Sequence, residues 1–338
     1  MTPRSAPRAV PRVCVCIVTY DSADDLPACL AAVAAQDYRP LEVVVVDCAS
    51  SDDSVAVARA ADVGDLPRQV VALGDNLGFA GGMNRAFAAG DAPYLLTLNA
   101  DAVPGPDYVR RLVERFADDR GHRIAAVTGR LVRPGDGERL LDACGMRLTP
   151  TWRHLDRGSG EIDRGQLVRA ERVFGATGAA SLFARAALDD VRFGGDEVFD
   201  ARFHSFREDA ELAFRFQERG WEVVYEPRAV AEHRRRVLPE RRLRLPAAVN
   251  YHSLKNRYLL RLYHQTPGNV LRTLVPTLWR DLLALGWVIL AERSSLAAYG
   301  WLWRHRREIL ARRRYLQGRR TAPPEAVDRW FRHSSQPL

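Results

Sequence analysis

Leu95–Pro104, with the sequence LLTLNADAVP, is the stretch that decides the fold. Its apolar run, which Tyr94 extends at the front, is typical of a strand buried on both faces, and the run stops at Asn99. Asp101 therefore follows the carboxyl end of a strand. Ligands bind at that edge of open parallel α/β sheets, so Asp101 is a candidate to hold a divalent cation against a phosphorylated ligand. An Asp that only caps a turn or the next helix is the structural alternative.

The chain before this stretch repeats one unit, a strand followed by a helix. Runs of β-branched and apolar residues predict the strands, and apolar residues at helical spacing predict the helices. The predicted strands are Val13–Thr19, Leu41–Val46, Gln69–Leu73 and Tyr94–Leu98. The predicted helices are Asp24–Gln36, Val55–Ala61 with Ser50 or Ser51 as its cap, and Gly82–Ala89. This alternation predicts an α/β fold with a doubly wound, mostly parallel sheet.

Polar side chains follow each predicted strand and should converge on one edge of the sheet. They are Thr19-Tyr20-Asp21, Asp47, Asp75-Asn76 and Asn99-Ala100-Asp101. For Asp47, helix capping explains the residue as well as ligand binding does. Gly78, Gly81 and Gly82 either allow a tight turn or let backbone N–H groups approach a diphosphate. Because the run is not GxGxxG and does not follow the first strand, it argues against a dinucleotide-binding Rossmann domain.

Four ordered motifs carry a family resemblance: VTYDS, VVVVDCASSD, NLGFAGGMNRA and LLTLNADAVP. In this order and at these separations they resemble the nucleotide-sugar-binding half of family 2 glycosyltransferases, which have the GT-A fold. The pattern is most similar to bacterial rhamnosyltransferase-like members that build cell-surface polysaccharide, and it extends from Arg12 to Arg236. The resemblance implies a GT-A domain over residues 12–238, with a nucleotide-sugar half at 12–104 and an acceptor half at 105–238.

The resemblance implies a set of donor-site residues. Thr19, Tyr20 and Asp47 would hold the nucleoside, and Asn99-Ala100-Asp101 would stand for the family's DxD motif. Asn99 lacks the first carboxylate of that motif, so it is expected to contact ribose. Cys48 replaces the Asn that commonly follows the Asp, with no functional interpretation. The implied nucleotide-sugar site comprises Thr19, Tyr20, Asp21, Asp47, Asn76, Gly78, Phe79, Ala80, Gly81, Asn84 and Asn99.

Sugar transfer also needs a general base, because the acceptor hydroxyl loses its proton as it attacks. The spacing in HSFREDAELAFRFQERG predicts a helix over Ser205–Gly220, with a Ser205/Glu208 capping box and a Glu211–Arg215 pair. Asp209 has no structural role in this pattern, although a solvated helix face would explain it. The segment resembles the family's Glu-Asp motif, which implies that Asp209 is the catalytic base and Glu208 its support.

His233 follows a predicted strand at Glu222–Tyr225. Lone histidines are more often surface or core residues than ligands, but the resemblance implies that His233 joins Asp101 at a divalent metal, Mg²⁺ or Mn²⁺. Arg234–Arg236 would then lie near the diphosphate, or they form a solvated basic run.

The acceptor half contains a predicted strand at Val127–Leu131 and a long loop at Arg133–Arg169, whose length suggests a lid or an acceptor loop. Phe174–Ala180 is predicted to be strand-like. Within it, the resemblance places Gly178 and Ala179 on the acceptor side, although small residues there are also consistent with tight packing alone.

The C-terminal region, residues 239–338, is predicted to be helical, amphipathic and basic. Over Val270–Trp303, Leu and Val residues form one helical stripe, with Trp and Tyr residues added. The uncharged runs Leu282–Ala291 and Ser294–Trp303 are each shorter than a bilayer span, so an interfacial helix or hairpin against an acidic membrane surface is expected. A core-packing or dimer helix is the alternative.

Composition limits the remaining classes. The 338 residues carry a formal charge of +8, and a 47% hydrophobic content allows a large core. The charge favours anionic partners: nucleic acid, acidic lipid or a phosphorylated substrate. Five cysteines without CxxC pairs favour a reducing cytoplasm. The Pro- and Arg-rich residues 1–11 predict a disordered lead-in without an apolar signal-peptide core.

Together these features predict an inverting, metal-dependent glycosyltransferase, peripheral on the cytoplasmic face of the plasma membrane. The expected donor is dTDP-rhamnose, with a UDP-hexose second, and the expected acceptor is a cell-surface glycan or a lipid-linked one. A nucleotidyltransferase would carry an N-terminal Gly-rich loop with a Lys, which Val13–Ser22 lacks. A non-catalytic protein that binds anions such as nucleic acid would interleave aromatic and basic residues on a strand surface, so no nucleic-acid partner is expected. The sequence does not predict the oligomeric state.

Overall fold

The computed structural model describes residues 10–117, 123–134, 137–235 and 245–338. Most of the predicted lead-in, Arg236 and the predicted domain boundary at 238/239 lie outside the described residues.

The first half is a parallel sheet whose strands alternate with helices. Its strands lie in the order β3-β2-β1-β4. The strands are β1 (Val13–Thr19), β2 (Leu41–Asp47), β3 (Arg68–Ala72) and β4 (Tyr94–Asn99), and the helices are α1 (Leu26–Ala34), α2 (Ser54–Ala60) and α3 (Gly78–Ala89). The carboxyl ends of the strands therefore share one edge, as the sequence predicts.

The second half extends this sheet with antiparallel and parallel pairs. The elements are β5 (Ala102–Pro104), α4 (Tyr108–Ala117), β6 (Ile124–Arg133), β7 (Leu140–Ala143), β8 (Met146–Leu148), β9 (His154–Asp156), β10 (Glu171–Val173), β11 (Ala180–Ala184), α5 (Arg185–Val191), α6 (Glu208–Glu218) and β12 (Glu222–His233). β11 is antiparallel to both β4 and β6, whereas β12 is parallel to β6. The fold class is confirmed, and the described sheet as a whole is mixed.

The C-terminal region is helical and adds one strand to the sheet. Its elements are α7 (Ala247–His264), α8 (Pro267–Ala291), α9 (Ala297–Arg304), α10 (Arg306–Gly318), α11 (Glu325–Asp328) and β13 (Gln336–Pro337). β13 pairs antiparallel with β10, so the end of the chain returns to the α/β part.

Two hydrophobic layers cover the sheet. The period of two in β1 sends Val13, Val15 and Ile17 to the side of α1 and α4, and Cys14 and Cys16 to the side of α3, α5 and α6. A third cluster joins the α/β part to α7, α10 and the residues after α11. All five cysteines are free and buried; they are Cys14, Cys16, Cys29, Cys48 and Cys144.

Several local predictions were wrong for identifiable reasons. Neither Ser50 nor Ser51 caps α2, because Ser50 hydrogen-bonds Asp47 and Ser51 hydrogen-bonds Asp21. The predicted loop at 133–169 contains β7, β8 and β9. The predicted strand-like segment at 174–180 is mostly irregular: Gly175 forms an isolated β-bridge with Met146, Gly178 and Ala179 form a turn, and β11 begins only at Ala180.

Candidate active site

The nucleoside end of the candidate site lies where β1 and β2 end. The Thr19 hydroxyl donates to Asp47 Oδ1 at 2.8 Å, and the Ser50 N–H donates to Asp47 Oδ2 at 3.0 Å. Both Thr19 and Asp47 are buried, so this carboxylate is fixed in direction. Tyr20, directly after β1, is 53% exposed and leaves an aromatic face open to solvent.

Asp21 joins the two loops at this edge. Its φ of 48° places it in the left-handed region, where Asp is among the residues tolerated best. Its Oδ1 accepts the Ser51 N–H at 2.7 Å, and its own N–H donates to Ser50 Oγ at 2.9 Å. Asp21 therefore holds the β1 and β2 loops together.

The glycine segment begins α3 earlier than predicted, at Gly78. Asn76 Oδ1 accepts the Gly78 N–H at 2.8 Å, and Gly78 has a φ of +67°. A Cβ at Gly78 would lie 2.4 Å from both the His204 ring and the His204 carbonyl oxygen, so the close approach itself requires glycine. Gly81 is also tightly packed, because a Cβ there would lie 2.6 Å from the Leu77 side chain.

The next residues of α3 have two roles: Phe79 and Ala80 contact the turn before α6, and Asn84 fixes a loop outside the site. The Phe79 N–H donates to Ser205 Oγ at 3.2 Å, and the Ala80 N–H donates to the His204 carbonyl at 2.9 Å. Asn84 lies one turn further on. Its Oδ1 accepts the N–H groups of Val198 and Phe199, so it fixes a loop.

Asp101 and His233 meet although they are far apart in the chain, because β5 pairs with the end of β12. Asp101 Oδ1 lies 3.2 Å from His233 Nε2, and Asn99 Nδ2 lies 3.4 Å from the same nitrogen. On the other side of the ring, His233 Nδ1 donates to Asp142 Oδ2 at 2.7 Å. A carboxylate behind a histidine is the arrangement that orients metal-ligating imidazoles.

The charges around His233 determine its protonation. Burial lowers the pKa of His233, but hydrogen bonds to Asp101 and Asp142 outweigh burial and raise it to about 9. Burial raises the pKa of Asp142, but its bond to His233 and the nearby Arg235 bring it well below its ordinary value. Within the described ranges, no group of three or more His, Cys, Asp or Glu side chains is arranged to hold a metal ion.

A line of charged groups leads from His233 towards Asp209. Arg235 Nη1 lies 3.1 Å from Asp142 Oδ1 and 2.7 Å from Asp156 Oδ2. Asp156, in β9, contributes to raising the pKa of Asp209. The segment predicted as a loop thus supplies carboxylates to the interior of the site.

Asp209 lies in the first turn of α6, beside a turn in which Gly178 carries no side chain. Its Oδ2 accepts the Gly178 N–H at 3.2 Å, and its Oδ1 accepts the Ala210 N–H at 2.7 Å. Burial raises the pKa of Asp209 to about 6, against the opposing hydrogen bond from Gly178. A Cβ at Gly178 would lie 3.1 Å from the Phe79 ring and 3.7 Å from Asp209 Cβ, so donor-side and base-side residues meet there. Ala179, next to it, is buried.

Glu208 is not the capping residue that the sequence predicts, and its role as support for Asp209 stays a prediction. The predicted capping box is wrong, because α6 begins at Glu208 after Arg207, which has left-handed φ 72° and ψ 0°. Glu208 is buried, and its Oε2 lacks a hydrogen-bond partner among the residues that the structure describes. Burial, together with the adjacent Asp209 carboxylate, raises the pKa of Glu208 well above its ordinary value.

The sequence interpretation did not identify Asp142 or Asp156, and it placed His154 in the predicted lid or acceptor loop without a role of its own. His154 Nδ1 lies 3.2 Å from Arg207 Nη1, at the start of α6. The isolated acidic residues of a Gly- and Arg-rich segment give no periodic signal, and their partners lie far away in the chain. The alternation DACGMRL, which runs from β7 into β8, was the one available sign of strand structure.

Comparison with known proteins identifies the family of this chain. The family model for Glycosyl transferase family 2 matches residues 14–192. The N-acetylglucosaminyl-diphospho-decaprenol L-rhamnosyltransferase of Mycobacterium tuberculosis is 30% identical over 243 residues, which cover 65% of this chain and 75% of that protein.

Solved structures show the same fold. The mannosyltransferase PcManGT from Pyrobaculum calidifontis, solved in complex with GDP-Man and Mn²⁺, has a TM-score of 0.53 at 20% identity and covers 96% of this chain and 84% of its own. Residues 1-349 of TarS from S. aureus, in complex with UDP, give a TM-score of 0.52 at 15% identity, covering 95% of this chain and 89% of that one.

Proposed function

This chain belongs to glycosyl transferase family 2, and on that premise we propose that it is an inverting rhamnosyltransferase that uses dTDP-rhamnose. The proposed acceptor is a glycan or a lipid-linked glycan of the cell envelope. The mycobacterial relative, whose name gives both a rhamnosyl donor group and a diphospholipid acceptor, supports this choice.

The single observation that carries a catalytic role is the environment of Asp209. A carboxylate with a pKa of about 6 is ionised at neutral pH, yet it is basic enough to accept a proton in the transition state. Its contacts with Gly178, which in turn adjoins Phe79, place it beside the segment proposed to line the donor site.

In the proposed reaction the acceptor hydroxyl attacks the anomeric carbon of the donor sugar. An Asp209 carboxylate oxygen takes the hydroxyl proton, while the bond from the anomeric carbon to the diphosphate oxygen breaks and the nucleoside diphosphate leaves with that electron pair. Burial and the adjacent Asp209 carboxylate both raise the pKa of Glu208, so of the two neighbouring carboxyl groups the negative charge is favoured on Asp209, the proposed base.

The donor would lie along the shared strand edge. Thr19, Tyr20, Asp21 and Asp47 would contact the nucleoside, with Tyr20 offering its exposed ring to the base. Asn99 would contact the ribose. Asn76 and the segment Gly78, Phe79, Ala80 and Gly81, with Asn84 behind it, would form the wall beside the diphosphate and sugar. The N–H groups of Gly78, Phe79 and Ala80 are already bonded within the protein, so this wall would act by its shape and not as an N–H cradle for the diphosphate.

A divalent cation would be held by Asp101 and His233. These two ligands, with the diphosphate and water, suit the octahedral shell of Mg²⁺ or Mn²⁺, because such sites take few protein ligands. Asp142 already holds the imidazole with Nε2 towards Asp101, which is the orientation that ligation needs, and His233 would release its Nε2 proton to solvent when a cation takes the place of that proton. When bound, the cation supplies charge stabilisation for the departing diphosphate.

The acceptor would approach over Gly178 and Ala179, which carry no side chain larger than a methyl beside Asp209.

We place the enzyme on the cytoplasmic face of the plasma membrane, in keeping with its free cysteines. By length and composition, α8 is the one helix in the described ranges that could cross a membrane. Asp281 in α8 is paired with Arg257 and Arg261 of α7, which favours a helix lying along the membrane surface.

The decisive experiment is a binding panel of purified protein against dTDP-rhamnose, UDP-glucose, UDP-N-acetylglucosamine and GDP-mannose, each with and without Mn²⁺. The expected result is a rise in melting temperature with dTDP-rhamnose that depends on Mn²⁺, because a ligand that binds only the native state stabilises it. A rise in melting temperature with a UDP-sugar alone would show that this sugar nucleotide, and not dTDP-rhamnose, is the donor. A shift with nucleic acid or acidic lipid, and none with any nucleotide sugar, would refute the proposal in favour of a non-catalytic protein.

The transfer step is tested with dTDP-rhamnose and a short-chain lipid N-acetylglucosaminyl diphosphate as acceptor. Asp209→Asn keeps the shape of the side chain and removes the base, so we expect kcat to fall by about 100-fold or more while donor binding persists. Retention of kcat by Asp209→Asn would contradict the assigned base.

A further inference from the structure

The turn that leads into α6 has an unusual backbone. The Ser205 N–H donates to the Phe203 carbonyl at 2.7 Å across His204, whose φ of 62° and ψ of −70° form the rare γ-turn with positive φ. Phe206 and Arg207 follow with φ of 72° each. Residues without glycine's freedom hold such angles only where surrounding groups fix them.

One side chain of the C-terminal region binds this turn three times. Asn256 Nδ2 lies 2.8 Å from the Phe203 carbonyl oxygen, 2.9 Å from that of Ser205 and 2.7 Å from that of Phe206. Asn256 is fully buried on α7. Its amide hydrogens therefore serve the carbonyls that the strained backbone turns away from any helix or strand.

The acceptor end of the Asn256 amide indicates that stability alone does not explain this residue. Asn256 Oδ1 is buried without a hydrogen-bond partner in the described parts of the chain. A buried acceptor without a partner is destabilising, so the amide is retained for its donor side.

The same turn separates the proposed donor site from the proposed base. On the donor side, the His204 carbonyl accepts the Ala80 N–H and Ser205 Oγ accepts the Phe79 N–H. On the other side the turn ends at Arg207, two residues before Asp209. A displacement of the turn would therefore change the distance between the donor segment and the base.

We propose that Asn256 is a positioning residue for sugar transfer: its amide group holds the turn 203–207, and through it sets the place of Asp209 relative to the donor segment. The inference rests on the proposed function, since it takes Asp209 to be the base. Two other contacts from α7 support this turn: the His252 ring stacks on His204 at 4.7 Å, and Lys255 Nζ donates to the carbonyl of Arg202, directly before the turn.

The test is Asn256→Leu, which keeps a similar side-chain shape and removes the donors. With dTDP-rhamnose, Mn²⁺ and the lipid N-acetylglucosaminyl diphosphate, we expect kcat to fall by about 30-fold, with the donor Kd within about threefold of the wild type. Asn256→Ser keeps one hydrogen-bond donor, and its kcat is expected to lie between that of the wild type and that of Asn256→Leu.

Leu259→Ala is the matched control, because Leu259 is buried on the same helix and its side chain has no hydrogen-bonding group to offer the turn. It should lower the melting temperature while kcat stays within about twofold of the wild type. If Leu259→Ala loses as much kcat as Asn256→Leu, or if Asn256→Leu retains kcat, the inference is overturned. Should Asn256→Leu fail to fold, the Asn256→Ser value decides in the same way.

The two proposals fail separately. A wild-type protein that binds and transfers no nucleotide sugar refutes the proposed function. A wild-type enzyme whose activity depends on Asp209, with full kcat in the soluble Asn256 variants, refutes only the positioning role.

Discussion

Two opposing effects act on the pKa of Asp209, and each can be assigned to a particular cause. Burial raises its pKa, whereas hydrogen bonds from the N–H groups of Gly178 and Ala210 lower it. The sequence interpretation considered only the helix dipole, which favours an ionised carboxylate, and missed the burial. The outcome is a carboxylate whose basicity suits proton transfer near neutral pH.

The pH profile should follow this residue. A base must be deprotonated to act, so kcat/KM for the acceptor is expected to be level above about pH 7, to halve near pH 6 and to fall about tenfold per unit below that. The measurement uses saturating donor and metal, with circular dichroism to confirm that the protein stays folded. An inflection near the ordinary aspartate pKa would contradict the raised value, and Asp209→Asn should show only a low residual rate.

Residue pairs could be predicted where family motifs, strand ends or helical spacing gave them. The Glu211–Arg215 pair, predicted from its spacing of four residues, is confirmed at 2.7 Å. The meeting of Thr19 with Asp47 follows from parallel strands that end at one edge. The contact of Asp142 with His233 could not be predicted, because nothing in the sequence of the segment 133–169 indicates that β7 folds back on β6. Contacts of that kind depend on the tertiary structure.

At the scale of elements, the sequence predicted β1 to β4 and the start of α2 to within one residue, but it misplaced the starts of α3 and α6. α6 begins at Glu208, three residues later than Ser205. The Ser205 hydroxyl accepts the Phe79 N–H, and Phe206 and Arg207, which lie between Ser205 and the helix, have positive φ. α3 begins four residues earlier than Gly82, because Gly78 can pack directly on His204. In both cases a long-range contact overrides the local capping pattern.

α8 presents an apolar face that the described chain leaves uncovered. Leu271, Val275 and Leu290 are among its exposed side chains, and Trp279 is 64% exposed. Its opposite face is bound, since Trp152 Nε1 donates to Thr273 Oγ1 at 3.0 Å and Thr277 donates to the Pro150 carbonyl. Basic residues follow at Arg293 and Arg304. An apolar face with flanking arginines suits an acidic lipid surface.

Replacement of Leu278 and Trp279 by Ser should test this surface. We expect binding to phosphatidylglycerol vesicles to weaken by about tenfold or more, with an unchanged melting temperature, because both side chains are exposed and only the membrane would bury them. Vesicle co-sedimentation measures the change. Val168→Ser, an exposed apolar position on the α/β part, is the control and should bind as the wild type does; equal binding by all three proteins would contradict the assignment.

At the scale of the whole molecule, the C-terminal region and the α/β part share one core. Trp152 packs on Phe331 with ring centroids 5.0 Å apart, and Trp330 donates to Gln217 Oε1 at 2.9 Å. β13 adds hydrogen bonds at the edge of the sheet. Shared burial of this kind predicts that the two regions unfold together.

Trp330→Ala should therefore destabilise the entire protein by about 3–5 kcal/mol, because it removes a fully buried indole between the two regions. Chemical denaturation followed by circular dichroism and by fluorescence should give one coincident transition in the wild type and in the variant. Trp279→Ala, at an exposed position, is the control and should leave the midpoint unchanged. Two separate transitions, with only one of them shifted, would show that the regions fold independently.

The burial of every cysteine has a practical consequence for spectroscopy. With all five thiols inside the fold, maleimide dyes find no reactive target on the native surface, because burial puts these thiols out of reach. Burial also raises the pKa of the Cys29 and Cys48 thiols, which keeps both of them protonated. A single cysteine introduced at exposed Val275 would carry an environment-sensitive fluorophore on α8 without any background labelling to remove. The alkylation rate of the native thiols would then report how often the sheet opens.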